Sequence, residues 1–386
     1  MTQNYRVLVP VSHPLGGIRT YMLYNFRQLH LDGYRFTFLS EAGDVFDSFK
    51  RDVADWEGTE FVDVPRGGKL VFSIRRALRE RRFDLIHSQG LKAGTETAAA
   101  NYFRQLPHVI TLHDVIVPQN DIPGRFKRLK KMIISFVTRR ASVIVPVSQD
   151  CKENHLQIFP VWKQGSVKVN AIQNGIDIER IENARTKFEK NGEFWLRKQF
   201  DIVDNVVIGG FFGRFMPQKG FDILLKSLAI VADRGYGKRF RLVVTRDLNG
   251  YFNETLNETK RNQRVADMVC FIDSTPNITP LLLQVDLTII PSRWEACPIL
   301  PMESLVLGVP VVGSDCIGLR EVVRDTPSIV VESENPDSLA DAIIKFIEEP
   351  TTKAANEYAE TAVKRFDVRI AVKHLTDVYE SVIDKA

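Results

Sequence analysis

The first residues with evident chemistry lie between two apolar runs, at 206–208 and 221–229. Gly213 and Arg214 come soon after the first run, and Lys219 comes just before the second. A glycine lets a backbone approach a ligand closely, and cations beside it bind phosphate groups. The start of a helix adds N–H groups that favour an anion. The pattern predicts a phosphate-binding loop between a strand and a helix.

The second group is a pair of carboxylates, Glu295 and Glu303, which follow an apolar run at 287–290. Carboxylate oxygens accept hydrogen bonds from hydroxyl groups. Together with the cations upstream, they suit a ligand that is part diphosphate and part sugar. Paired acids could instead hydrolyse glycosides, but that interpretation explains neither the cations nor the glycines.

The composition predicts a globular protein of two domains. Its 386 residues exceed one ordinary core, and 44% are hydrophobic while 26% are charged. The four cysteines have no close spacing, which argues against a disulfide framework or a zinc site and fits a reducing cytosol. We see no signal peptide, and no apolar stretch of the roughly 20 residues that a membrane span needs. We therefore expect a cytoplasmic location.

The charge is unevenly distributed along the chain. Residues 1–150 hold 22 Lys and Arg against 15 Asp and Glu, whereas the remaining residues hold 30 against 33. A basic first part beside a slightly acidic second part suggests that only one domain meets an anionic partner or surface.

Strand-like and helix-like runs alternate through the first half, which predicts a parallel, doubly wound sheet. Ligands bind such sheets beyond the carboxyl ends of the strands. Polar or small residues follow several of the expected strands, and the Gly16-Gly17 pair lacks the spacing of a dinucleotide fingerprint. The residues expected at these ends are His13, Gly16, Gly17, Ser88, His113, Asp114, Ser148 and Asn174.

A second alternating unit begins near residue 204, after a charged, helix-like segment at 179–200. We therefore place a first domain at 1–200 and a second at 201–367, joined near 198–205. No fixed-period repeat or low-complexity tract is present, which excludes solenoid folds.

A basic segment at 125–131 carries an apolar stripe at helical spacing, formed by Phe126, Leu129, Ile133 and Phe136. The stripe could face the core, with the cations in solvent. Alternatively, the helix could lie on the anionic inner face of the cell membrane or hold a phosphorylated lipid acceptor. Nucleic acid is not expected, because aromatic residues do not interleave with the cations. The cations are Arg125, Lys127, Arg128, Lys130 and Lys131.

Taken together, these motifs resemble glycosyltransferase family four, whose members are retaining enzymes of the GT-B fold. The resemblance rests on GRFMPQKGFDILL, with Asp222 among its matching positions, and on the E-x7-E pair inside PSRWEACPILPMESLVLGVPVV. It also includes Gly16-Gly17, His113-Asp114, Val147-Ser148 and the run at 174–177. This ordered set spans nearly the whole chain.

The resemblance implies an α/β protein with two Rossmann-like domains facing a central cleft. The donor, a UDP- or GDP-sugar, would lie mostly on the second domain and the acceptor mostly on the first. A last helix, at 368–386, would cross back to the first domain. The implied activity is transfer of a sugar, with retention and without a metal or other cofactor, to a glycan or lipid-linked acceptor in polysaccharide, O-antigen or glycolipid assembly.

The resemblance also implies residue roles at the donor. Arg214 and Lys219 would bind the diphosphate and stabilise the leaving group, and Glu295 would hold hydroxyls of the donor sugar. His113 would meet the far hydroxyl of that sugar or the developing positive charge. Further donor contacts would come from Gly16, Gly17, Gly213, Phe271, Ile272, Ile299, Leu300 and, at the ribose, Glu303. The acceptor-binding residues would be Ser88, Asp114, Ser148 and Asn174.

The sequence departs from the family pattern at two places. The run at 245–250 lacks a glycine-rich turn, which leaves UDP and GDP open, and Ile317 stands where many relatives have the first of two glycines. Rival functions are a GT-B phosphorylase, a sugar-nucleotide epimerase or a non-catalytic subunit that binds nucleotide sugars.

Overall fold

The structure, a computed structural model, describes residues 5–122, 124, 126–191, 194–246, 257–259, 261–275 and 277–384. The chain divides into two compact units. The first comprises Met1–Gly175 and Val368–Ala386, and the second comprises Ile176–Asp367.

The first unit is built on a seven-stranded parallel sheet with the order β3-β2-β1-β4-β5-β6-β7. The five inner strands are buried over most of their length, as expected for a sheet covered by helices on its faces. They are β1 (Arg6–Pro10), β2 (Arg35–Glu41), β3 (Glu60–Val64), β4 (Leu85–Gln89), β5 (His108–Leu112), β6 (Val143–Pro146) and β7 (Lys168–Val169).

Helices connect these strands, and the last helix of the chain joins the same unit by packing on α1. The helices are α1 (Gly17–Leu31), α2 (Asp44–Asp52), α3 (Leu70–Glu80), α4 (Leu91–Ala100), α5 (Lys127–Thr138), α6 (Gln149–Ile158) and the C-terminal helix α16 (Val368–Ile383).

The second unit has a six-stranded parallel sheet with the order β10-β9-β8-β11-β12-β13. Its core packs α9 and α14 against the sheet. The strands are β8 (Val207–Phe211), β9 (Phe240–Thr245), β10 (Val269–Ile272), β11 (Leu287–Ile290), β12 (Val311–Ser314) and β13 (Ile329–Val331). The helices are α7 (Ile178–Asn191), α8 (Trp195–Gln199), α9 (Phe221–Asp233), α10 (Gln263–Ala266), α11 (Thr279–Leu282), α12 (Leu300–Val306), α13 (Leu319–Val323), α14 (Pro336–Glu348) and α15 (Thr352–Phe366).

Each sheet has one point at which the strand order reverses direction. In the first unit it lies between β1 and β4, and in the second between β8 and β11. Loops that leave the carboxyl ends of such neighbouring strands diverge and leave a crevice for a ligand. The loops that carry Gly17, Arg214 and Glu295 all leave strands at these two points.

The boundary between the units differs from the sequence-based boundary near residue 200. Residues 176–200 belong to the second unit because their contacts are made there. The N–H of Ile176 donates to Phe366 O at 2.7 Å, and the N–H of Leu196 donates to Gln284 Oε1 at 3.0 Å. Charge and helical spacing describe this segment correctly, but they carry no information about the sheet on which it packs.

None of the described helices combines the length and the apolar character needed to cross a bilayer.

Candidate active site

The two site-bearing loops of the second unit are joined by main-chain hydrogen bonds. One loop, at 212–220, follows β8, and the other, at 291–299, follows β11. The N–H of Arg293 donates to Gln218 O at 2.8 Å, and Gln218 Nε2 donates to Trp294 O at 2.9 Å. Because β8 and β11 are neighbours, the sheet itself brings these loops together.

At the centre of the joined loops, Lys219 and Glu295 form an ion pair. Lys219 Nζ lies 2.6 Å from Glu295 Oε1, and Ser292 Oγ donates to the same oxygen at 2.7 Å. The Glu295 side chain is 7% exposed and that of Lys219 is 25% exposed. A buried carboxylate needs a paired and hydrogen-bonded environment, and these partners hold the Glu295 side chain in position.

A second ion pair fixes the outer part of the same loops. Arg293 makes a bidentate contact with Asp222, at 2.8 and 2.7 Å, and donates to Pro217 O at 2.6 Å. Its Nε also donates to Glu334 at 2.9 Å. Although burial opposes it, hydrogen bonding from Arg293 lowers the pKa of Asp222 below its ordinary value of 3.8. Asp222, a matching position of the first motif, thus has a structural role: it holds the loop after β11 through Arg293.

Two glycines allow this close packing of loops. Gly220 has φ 66°, and a Cβ there would lie 2.0 Å from Pro291 O. Gly318 has φ 80°, and a Cβ there would lie 2.2 Å from Glu295 O. Any side chain at either position would displace the loop that carries Glu295. The adjacent Ile317 contributes its carbonyl oxygen, which accepts from the Glu295 N–H at 3.0 Å, and any residue could supply that group.

Arg214 projects from an anchored loop. Its neighbour Phe215 is 1% exposed and contacts Phe211 and Phe221 in the core, at centroid distances of 6.0 and 4.9 Å. Arg214 itself is exposed. A Cβ on the preceding Gly213 would meet nothing within 4 Å, so packing within the protein does not require glycine there.

The remaining expected donor residues of this unit lie on two different elements. Ile299 and Leu300 begin α12, and Glu303 is half-buried in the first turn of that helix. Phe271 and Ile272 end β10, which is one of the two edge strands of the sheet. Thr245 ends β9. Of the run at 245–250 that lacks a glycine-rich turn, residues 247–250 lie outside the described residues.

In the first unit, the Gly16-Gly17 pair forms the start of α1. Gly17 is the first helical residue, and Gly16 adopts φ 57°. A Cβ on Gly17 would meet nothing within 4 Å. Gly17 and Gly213 therefore share a property that Gly220 and Gly318 lack: the protein's own packing leaves room for a side chain.

His113 is a neutral, oriented imidazole that follows β5. Gln89 Nε2 donates to His87 O at 3.3 Å, so Gln89 Oε1 faces His113 Nε2, at 2.8 Å. This assigns the ring proton to Nε2 and leaves the Nδ1 lone pair as an acceptor. Burial lowers the pKa of His113 to about 3. The side chain is therefore uncharged at neutral pH and can accept a hydrogen bond from a hydroxyl group.

Sequence reasoning did not identify a buried network behind His113. Tyr379 of α16 contacts His87 Nδ1 at 2.5 Å, and His87 Nε2 lies 2.6 Å from Thr111 Oγ1. Thr111 hydrogen-bonds Tyr21, whose ring packs edge-on against His113 with centroids 4.7 Å apart. Burial lowers the pKa of His87 and raises that of Tyr379, so both are neutral. No local signal in the sequence links position 379 to position 87.

Both serines that were expected to bind the acceptor make hydrogen bonds inside the fold. Ser88 is fully buried within β4, where its Oγ contacts His108 Nε2 at 2.8 Å, so the strand continues past the expected end. Ser148 is also fully buried and caps α6 by accepting from the Cys151 N–H at 3.0 Å. The structure therefore gives both side chains structural roles and does not support their assignment to acceptor binding.

The other two expected acceptor residues lie on loops. Asp114 is exposed, and its carboxylate accepts from the Val115 N–H at 2.9 Å and from Asn120 Nδ2 at 3.4 Å. Asn174 is 8% exposed, and its N–H donates to Val147 O at 3.3 Å. Asp114 thus shapes the loop after His113, while Asn174 lies at the end of the first unit.

Within the described ranges, no group of three or more His, Cys, Asp or Glu side chains is arranged to hold a metal ion.

Two family models match the chain, one on each part. The model described as Glycosyltransferase Family 4 matches residues 15–180, and the model described as Glycosyl transferases group 1 matches residues 195–365. The first match contains Gly16, Gly17 and His113, and the second contains the Lys219–Glu295 pair.

Curated relatives carry names from cell-surface glycan synthesis. TuaC of Bacillus subtilis (strain 168), provisionally assigned as a teichuronic acid biosynthesis glycosyltransferase, is 26% identical over 81% of this chain and 75% of its own. LpsB of Rhizobium meliloti (strain 1021), named a lipopolysaccharide core biosynthesis mannosyltransferase, is 27% identical over 55% of this chain and 60% of its own.

Solved structures with the same fold include HepE of Anabaena. Its complex with UDP-glucose is 22% identical, covers 98% of this chain and all of the HepE chain, and superposes with a TM-score of 0.78. Its complex with UDP gives the same TM-score at 21% identity. At this identity the likeness establishes the fold, which is the GT-B arrangement of two parallel-sheet α/β domains.

Proposed function

Since the chain belongs to the glycosyltransferases, with a family 4 domain followed by a group 1 domain, we propose that it transfers a sugar from a nucleoside diphosphate sugar. The donor is a UDP- or GDP-sugar, and the acceptor is a glycan or a lipid-linked sugar. The sugar keeps its anomeric configuration, and the reaction needs no metal or other cofactor. The product belongs to a cell-surface polysaccharide, O-antigen or glycolipid, in keeping with the names of TuaC and LpsB.

The observation that carries this proposal is the contact between Lys219 and Glu295, at 2.6 Å. In a nucleoside diphosphate sugar, the reacting carbon is bonded directly to an oxygen of the outer phosphate. A cation for that phosphate and a carboxylate for the sugar hydroxyls must therefore be close neighbours. A site for a phosphate alone or for a sugar alone would not require both groups at one point.

The charges also suit the chemical step. As the bond to the sugar breaks, the leaving diphosphate gains negative charge, so a fixed cation binds the transition state better than the ground state. Lys219 and the exposed Arg214 supply that charge, and Glu303 accepts hydrogen bonds from the ribose. Neutral His113 accepts a hydrogen bond from a hydroxyl of the donor sugar through Nδ1. The acceptor hydroxyl attacks the face from which the diphosphate leaves, and the departing phosphate takes its proton.

We further propose that the protein works in the cytoplasm, at the inner face of the membrane, where a lipid-linked acceptor is presented. Ser88 and Ser148 are fully buried with hydrogen-bond partners inside the fold, so we keep Asp114 and Asn174 as the proposed acceptor contacts.

Calorimetry against a panel of sugar nucleotides tests the donor. UDP-glucose heads the panel because HepE was crystallised with it, and GDP-sugars and free UDP and GDP complete it. We expect one nucleotide sugar to bind more tightly than its own nucleotide diphosphate, since Glu295 contacts the sugar. Equal affinity for both in the wild type would contradict the role of Glu295.

Product analysis with and without acceptor distinguishes the rival functions. A transferase forms a new glycoside of unchanged anomeric configuration only when acceptor is present. An epimerase converts the donor without acceptor, a phosphorylase requires inorganic phosphate, and a non-catalytic subunit leaves the donor intact. Donor hydrolysis by the wild type but not by Glu295→Ala excludes a non-catalytic subunit.

A further inference from the structure

Helix α5 turns small polar side chains toward the protein and large apolar side chains outward, which is the reverse of the usual arrangement in a surface helix. Its buried side chains are the small hydroxyl residues Ser135 and Thr138. Large apolar side chains on the helix and just before it point away from the protein and are 49–67% exposed. These side chains, which we call the α5 apolar face, are Phe126, Leu129, Met132, Ile133 and Phe136.

The inner face of α5 is held in this orientation by a hydrogen bond from the buried Trp162. Thr138 Oγ1 donates to Ile134 O at 2.6 Å and accepts from Trp162 Nε1 at 3.2 Å. Trp162 is itself 2% exposed. Turning the helix to bury its apolar residues would break the bond between Thr138 and Trp162 and move Thr138 out of the interior, so the outward apolar face is a property of the folded unit.

The α5 apolar face is concentrated rather than scattered. Five of the fifteen exposed large apolar side chains of the described residues lie within 126–136. Phe103, which is 88% exposed, adds another ring near the end of the helix. Its ring meets that of Tyr102 edge-on, and the centre of the Tyr102 ring lies 4.2 Å from the Arg140 guanidinium. Contiguous exposed apolar surface of this kind marks an interaction site.

Cations surround this face, and the segment 126–140 contains no Asp or Glu. Arg128, Arg139 and Arg140 are exposed. Lys127 and Lys131 share one acid, Asp121, at 3.7 and 2.9 Å, which leaves the pair net positive. The structure describes Lys130 as exposed, whereas Arg125 lies outside the described residues.

We propose that the α5 apolar face and its cations dock the first unit onto an anionic lipid surface. An apolar stripe flanked by Lys and Arg inserts at the headgroup level of such a surface. A second copy of the chain fits less well, because a two-fold contact through α5 would bring like charges together. The inference deepens the proposed function, since it names the surface by which the enzyme would reach a lipid-linked acceptor.

Vesicle flotation tests the proposal with two α5 variants. The apolar variant carries Leu129→Ser, Ile133→Ser and Phe136→Ser, and the charge variant carries Arg128→Gln, Arg139→Gln and Arg140→Gln. All six side chains are exposed, so both variants should fold, which their melting curves and donor calorimetry verify. The matched control on α3 carries Arg75→Gln, Arg76→Gln and Arg79→Gln, which are also exposed.

We expect the wild type and the α3 control to float with vesicles of equal parts phosphatidylglycerol and phosphatidylcholine. The wild type should not float with phosphatidylcholine alone. The charge variant should bind roughly 100-fold more weakly, because each cation near the surface contributes about a fivefold factor. The apolar variant should lose binding as well, and added salt should weaken the binding of the wild type.

Unchanged flotation of both α5 variants would overturn the proposal, as would an equal loss in the α3 control. A wild-type dimer that the apolar variant converts to a monomer, without vesicle binding by either, would assign the face to self-association instead. None of these results depends on the donor. A failure of the proposed function therefore appears separately, as absent donor binding in the wild type.

Discussion

Lys219 and Glu295 are 76 positions apart in the chain, yet Nζ of one lies 2.6 Å from Oε1 of the other. Each residue comes from a loop that follows one of two neighbouring strands, β8 and β11. The two side chains neutralise each other within the second unit. A ligand that replaces this contact has to offer an anion to the lysine and hydroxyl donors to the carboxylate, and a diphosphate sugar offers both.

Changing Lys219 should separate stability from catalysis. Lys219→Met leaves Glu295 buried without its cation, which we expect to cost about 3–5 kcal/mol of stability and about 100-fold in donor turnover. Adding Glu295→Gln should restore most of the melting temperature but none of the turnover. Thermal melts and turnover assays measure the two effects, with Lys238→Met, an exposed lysine of the same unit, as control. Recovery of turnover in the double variant would remove Lys219 from the mechanism.

The glycines should fall into two classes when each is changed to alanine. Gly17→Ala and Gly213→Ala have room for the methyl group and should melt like the wild type, yet they should weaken donor binding if a phosphate approaches the backbone there. Gly220→Ala and Gly318→Ala should lower stability by more than about 1 kcal/mol, because both positions have positive φ and no space. Melting curves and donor calorimetry distinguish the classes. Normal donor affinity in Gly17→Ala and Gly213→Ala would show that these glycines serve no ligand.

Tyr379 should influence turnover only through His113. Tyr379→Phe keeps the ring but removes the hydroxyl partner of His87 Nδ1, which should cost about 1–3 kcal/mol of stability and lower kcat by loosening Tyr21 around His113. In a His113→Asn background, the same change should lower stability again but leave kcat unaffected. The assays are run well below the melting temperature of each variant. Equal kcat losses in both backgrounds would mean that Tyr379 has a structural role only.

Acid should destabilise the first unit before the second. Burial lowers the pKa of His108 and His113 to about 3 and that of His155 to about 4. The unfolded chain therefore binds protons that the folded unit does not. Stability is complete above the ordinary histidine value of 6.5 and falls as the pH drops toward these values, by about 1.4 kcal/mol per pH unit for each group.

The second unit provides an internal comparison, because all seven histidines of the chain lie outside residues 176–367. Pepsin treatment over a series of pH values, with the cuts located by mass spectrometry, should show early cleavage in the first unit. His108→Asn should shift that onset to lower pH. First cleavage within 176–367 would contradict the prediction.

A chelator should leave turnover unchanged, because the proposed reaction stabilises the leaving diphosphate with Arg214 and Lys219. Turnover is measured after EDTA treatment and gel filtration, with and without added Mg²⁺. A magnesium-dependent enzyme treated in parallel controls for complete removal of the metal. Loss of turnover that Mg²⁺ restores would require a metal in the mechanism.

Much of the fold could be predicted from local patterns. The apolar run at 287–290 matches β11, because buried parallel strands are short apolar runs with clear ends. β4 was harder to predict, since Ser88 and Gln89 continue the strand while using polar side chains. Ser88 contacts His108 on β5 and Gln89 contacts His113 just after it, and no neighbouring residue in the sequence reveals those partners.

The apolar stripe on α5 also shows what spacing in the sequence cannot decide. Helical spacing predicted the stripe itself, but left open whether it faced the core or the surroundings. The structure resolves this choice because Thr138 pairs with Trp162, a residue whose proximity cannot be inferred from spacing alone.

By itself, the sequence determined the kinds of groups available and the order of strands and helices that carry them, because residue type and periodicity are local properties. Only the tertiary structure decided which of those groups meet. It joined Lys219 to Glu295, assigned 176–200 to the second unit, buried Ser88 and Ser148, and placed Tyr379 behind His87. The physical reason is that parallel strands pair across long stretches of chain, so each partner is set by sheet order and packing rather than by neighbours in sequence.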